Sequence, residues 1–140
     1  MTHNLILRVI AKWMIPVILL FALYVQFHGD YSPGGGFQAG VIFTTAFLLH
    51  ALAYGRDATM RIIPENTLKY LSCLGVLIYA GVGVTSMVRG GNFLDYSRLA
   101  STPISGQHIG IILIELGVGI TVASVMLLIF FTFSRRVIDQ

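Results

Sequence analysis

Charge is scarce in this chain. Only 11% of its 140 residues are Asp, Glu, Lys or Arg, where a soluble domain usually carries about 25%. So few charges do not readily make a water-facing surface, and a soluble domain is the first class excluded. Cysteine is scarcer still. Cys73 stands alone inside an apolar run, so no internal disulfide can form and the residue reads as a structural thiol. Lysine is missing between residues 13 and 68. The glycine run "SPGGGFQAG" at 32–40 therefore does not match a phosphate-binding P-loop, which needs a lysine after its glycines. A dinucleotide fingerprint fails as well, for want of a strand–helix–strand context. Long loops are also missing, which leaves no room for a soluble catalytic domain. The longest candidate, "RGGNFLDYSRLASTPISGQHIG" at 89–110, has no enzyme signature. The chain is not expected to be an enzyme or to bind nucleic acid.

What is present is apolar, 56% of all residues. It falls into four runs at 9–27, 37–54, 70–88 and 108–133. Each is near the ~20 residues that cross a ~30 Å hydrocarbon core at about 1.5 Å per residue. Only helices and closed barrels satisfy their backbone in lipid, and the runs do not alternate as barrel strands do. The expected fold is all-α, a single membrane domain over 1–140 with four transmembrane helices. The first run follows Arg8 and Lys12 as a signal sequence would. No small-x-small cleavage site follows it, so it reads as a membrane helix. Pro16 is expected to bend this helix or mark its start, with Trp13 and Tyr24 near its two ends.

Lys and Arg are unevenly placed. Arg8, Lys12, Arg56, Arg61, Lys69, Arg135 and Arg136 share one side of a four-helix topology, against Arg89 and Arg98 on the other. The positive-inside rule then puts both termini in the cytoplasm.

Within this frame a few residues carry chemistry. Glu115 is the sole charge of the fourth run. A carboxylate in a membrane helix is costly and usually has a polar environment or a function. It is a candidate for a proton or cation path, or for pairing with a base on a partner. Counted from Gln107 it lies ~12 Å inward, and from Arg135 ~30 Å outward. His108 shares roughly one face with it, seven positions earlier. His50, about a turn from the end of the second run, can carry a proton or bond a neighbouring helix. His28 and Asp30 in the outer loop are weaker candidates for a proton or cation. No metal ligands are assigned.

The glycines read as geometry. Pro33 fixes φ, and Gly34, Gly35 and Gly36 permit tight re-entry and close backbone contact. Gly36 and Gly40 make a G-x-x-x-G step at the head of the second helix, whose N-terminus attracts negative charge. Gly75, Gly81 and Gly83, and then Gly110, Gly117 and Gly119, mark the third and fourth helices as packing against each other or against another protein. Ser101, Thr102 and Pro103 read as turn or cap chemistry, with Ser105 or Gly106 expected to cap the fourth helix.

"FHGDYSPGGGFQAGVIF" at 27–43, followed by "GQHIGIILIELGVGITV" at 106–122, resembles the B subunit of the multisubunit Mrp-type cation/proton antiporters. The resemblance runs from the first helix to the end of the fourth. It departs at Asp30, where many members have histidine, and at Ala39, in place of a common glycine. It implies a small subunit of a bacterial plasma-membrane complex that exchanges cytoplasmic Na+, or sometimes K+, for external H+. The implied partners are other integral membrane subunits and the lipid bilayer, and no cofactor is implied. A homologous subunit of a hydrogenase-type membrane arm, or a standalone membrane scaffold, are the alternatives.

Overall fold

The computed structural model describes residues 2–29 and 34–138, with side chains for 5–29 and 34–134. The described residues are helical wherever they are regular. Helix α1 spans Thr2–Phe27, α2 Gly36–Tyr54, α3 Arg56–Ile62, α4 Glu65–Val88 and α5 Pro103–Ile138, with one 3-10 turn at Tyr96–Arg98. Four of these, α1, α2, α4 and α5, are long and apolar enough to cross a membrane. The fold is thus an all-α, multi-pass membrane protein.

Several boundaries differ from the expectation. Helix α1 begins well before Pro16, which lies inside it. Trp13 consequently stands about three turns in from the start, facing outward, and not at an end. Helix α5 begins at Pro103, not at 108. Thr102 caps it, its Oγ1 accepting the Ser105 amide at 3.4 Å. Proline is well suited to a first helical position, because its missing N–H would have no partner there. Neither Ser105 nor Gly106 is the cap, since both lie within the helix.

Helix α3 was not expected. Seven residues are too few to show a period. Gly55, at φ +97°, turns the chain out of α2, and Pro64 ends the segment ahead of α4. Only a residue without Cβ takes that dihedral cheaply.

The helices pack in the order α1, α2, α5, α4, with α1 touching α5 lightly. Large apolar side chains such as Leu20, Phe21, Leu77 and Ile129 point outward, as lipid-facing positions do. The apolar core, Leu68, Leu127 and Phe131 with Phe47, Leu48, Met60 and Ile63 around it, gathers at the α3 end. The other end is held by backbone contact, and Glu115 lies there.

Candidate functional site

Helices α2 and α5 meet through glycine. A Cβ at Gly36 would collide with the Glu115 carbonyl oxygen, and one at Gly40 would stand 2.7 Å from the Gly119 carbonyl. Seen from α5, Gly119 faces the Gly36 carbonyl at 3.2 Å and Gln26 Oε1 at 2.6 Å from its added Cβ. One turn further along, Thr44 is buried, donates to Gly40 O at 2.9 Å and stands 3.3 Å from Ala123 O. Helices α4 and α5 meet the same way, Gly75 against the Gly117 carbonyl and Gly117 against the Gly75 carbonyl at 2.9 Å. Lipid supplies no hydrophobic drive for helix association, so close contact through small residues carries it.

Glu115 closes this seam. Its side chain turns into the turn between α1 and α2. A Cβ at Gly29 would overlap both carboxylate oxygens, and one at Gly35 would lie 2.8 Å from Oε1. Gly35 is the N-cap of α2, with extended backbone and no side chain to cap the helix. The first turn of α2 contains no acidic residue. A helix N-terminus carries unpaired N–H groups and about half a positive charge. Among the described residues, the Glu115 carboxylate, from a helix far along the chain, stands beside it. Glycines at 29, 35 and 36 are needed there for space.

The other predicted residues scatter. His108 is exposed two turns before Glu115, about 10 Å by helical rise. His50 lies at the opposite end of α2, about 21 Å from Gly36 by the same measure, its Nδ1 2.8 Å from Thr59 Oγ1. His28 is exposed at the end of α1, its ring stacked on Tyr24 at 4.3 Å between centroids. Gly34 packs against Val25 Cγ1, 3.1 Å from an added Cβ. Asp30 and Pro33 fall outside the described residues. Among the described residues, no three His, Cys, Asp or Glu side chains converge as metal ligands would.

Sequence reading does not single out Gly29, and two further participants escape it as well. Gln26 is a lone amide in an apolar stretch, and Thr59 sits in a helix too short to recognise. Gln26 also borders an apolar cavity of about 240 Å³ between α1, α2, α4 and α5, with Ala22, Gly40, Leu68, Gly119 and Leu127 in its wall. At the far side of the seam, Tyr96 lies over Gly110, and its carbonyl abuts Gly106. Arg89 donates to the Arg98 and Leu99 carbonyls and ties this loop to the end of α4.

The glycine seam and its carboxylate run through the region that known proteins share with this one. Three relatives from Staphylococcus aureus strains Newman, JH1 and USA300 each carry the name "Putative antiporter subunit mnhB2". Each is 33% identical over 135 residues, covering 94% of this chain and 95% of the relative. Residues 6–128, spanning α1 to most of α5, match the family described as a domain related to the MnhB subunit of Na+/H+ antiporter. By that match and those relatives, on a four-span helical fold, the chain belongs to the MnhB family.

Proposed function

We propose that this chain is a small membrane subunit of a multisubunit antiporter that exchanges cytoplasmic Na+, with K+ as the second candidate, for external H+ across a bacterial plasma membrane. The observation that carries the reading is the family match through all four spans. The subunit contributes to assembly, and catalytic chemistry of its own is not part of its task. Both termini face the cytoplasm. In support, Arg8, Lys12, Arg56, Arg61 and Lys69 lie at the α3 end of the bundle, against Arg89 and Arg98 at the glycine-loop end.

Glu115, His108 and His50 remain the ion-path candidates. They stand at three levels along the bundle, so a continuous route through them needs polar groups from partner subunits. The seam geometry favours a first task for Glu115 within this chain, holding the start of α2.

Solubilising bacterial membranes in mild detergent and isolating the chain tests the assembly reading. Larger hydrophobic subunits should co-purify, and vesicles containing the complex should show Na+-dependent collapse of a pH gradient. A stable isolated monomer or homo-oligomer, with no cation-dependent proton movement, overturns it. Reporter fusions at residues 62 and 97 should report opposite sides of the membrane, with 62 inside.

A further inference from the structure

Thr59 is fully buried in the middle of α3, and its hydroxyl has two partners. Oγ1 lies 2.8 Å from His50 Nδ1 and 3.1 Å from the Gly55 carbonyl oxygen. A hydroxyl has one proton to give and lone pairs to receive another. When the imidazole is neutral with its proton on Nε2, the hydroxyl donates to Nδ1. Gly55 O is not orphaned in that state, because the Thr59 amide donates to it at 3.3 Å. When the imidazole is charged, Nδ1–H donates to Oγ1, and the hydroxyl proton swings to Gly55 O. A carbonyl in place of the hydroxyl would suit only the protonated Nδ1, and a backbone N–H only the bare one. The hydroxyl keeps a hydrogen bond in both charge states.

From this geometry we propose that Thr59 is a positioning residue that lets His50 exchange a proton at the α3 end of the bundle without losing its bond. The proposal rests on the antiporter reading and names a proton-handling residue within it.

Charged and titratable groups lie around His50 on α1, α2, α3 and α4. Its ring tilts against Tyr54 at 4.7 Å. From α1, Arg8 lies over the Tyr54 ring at 5.8 Å and donates from Nε to Ala53 O at 3.1 Å. Lys12 follows one turn later. From α3 come Arg56, 3.7 Å from Asp57, and Arg61. Helix α4 begins with Glu65 bridged to Lys69 at 2.9 Å. Helix α5 has no titratable residue from 116 to 134.

The test uses the whole complex in membrane vesicles, with Thr59→Val, Thr59→Ser and His50→Gln. Complex recovery and the pH profile of antiport are measured together. Hydrogen bonds to a charged group are roughly twice as strong as neutral ones, so removing the hydroxyl disfavours the charged imidazole more than the neutral one. Thr59→Val should move the half-maximal pH toward acid by about half to one unit. Thr59→Ser should restore the wild-type profile, and His50→Gln should abolish that limb. An unchanged profile in Thr59→Val and His50→Gln, with normal recovery, overturns the proposal. So does loss of the assembled complex in both with rescue by Ser, which assigns the pair a structural role. Wild-type vesicles without cation-dependent proton movement would instead defeat the antiporter reading itself.

Discussion

Replacing Gly36 by alanine adds one methyl group at the tightest point of the α2–α5 seam. The new Cβ would overlap the Glu115 carbonyl oxygen and stand 2.7 Å from its carbonyl carbon and 2.9 Å from its Cα. Carbon pairs are comfortable at about 3.5–4.0 Å, so the helices must part by roughly 1 Å. These are backbone atoms, which cannot rotate away as a side-chain tip could. A gap of that size forfeits roughly a quarter to a half of each dispersion contact along the seam, and Gly40 over Gly119 is next in line. Overpacking of this kind costs about 1–3 kcal/mol, or roughly 5- to 150-fold in the folding equilibrium. Gly81 is the control. A Cβ there meets nothing within 4 Å, and alanine is the better helix former by about 0.5–1 kcal/mol. The thermal midpoint of the detergent-solubilised complex, followed by fluorescence-detected size exclusion, should fall for Gly36→Ala and hold or rise for Gly81→Ala. Gly36→Val should lose the complex. Equal behaviour of the two alanine variants would refute the reasoning.

Glu115→Gln keeps the shape but removes the charge beside the α2 N-terminus, a favourable term of about 0.3–1 kcal/mol at exposed sites and up to ~2 when partly buried. The complex should assemble with a lower midpoint, and identical midpoints with identical pH profiles of antiport would remove Glu115 from both roles. In the loop, burial, with Tyr79 adding to it, pushes the Tyr96 phenol above its ordinary value of 10.0. The folded phenol then holds its proton more tightly than the unfolded one, so its contribution is full below about pH 10 and is lost as pH rises beyond it. Tyr96→Phe should flatten that alkaline loss in thermal midpoint, and matching alkaline slopes would contradict the assignment.

The four membrane spans are legible in the sequence, because a helix in lipid satisfies its own backbone and needs only length and apolar composition. The same holds for the family, whose marks are contiguous strings at 33–37 and 115–119. Glu115 and the glycines could be singled out as exceptions to an apolar run. Their partners could not be read. No hydrophobic stripe tells one lipid-embedded helix which neighbour to choose, and steric fit between backbones decides. Only the tertiary structure seats Glu115 against Gly29, Gly35 and Gly36 of its own chain. Nor could the Thr44–Ala123 contact be read, since it joins residues 79 positions apart. The His50–Thr59 pair is near in sequence, yet it needs α3 to fold back, and a seven-residue helix between two glycine and proline breaks shows no period of its own. Span number and apolar length are local properties of the chain. Which carboxylate stands at which helix start, and which hydroxyl meets which imidazole, depend on how closely distant backbones approach, and that is settled only when the helices pack.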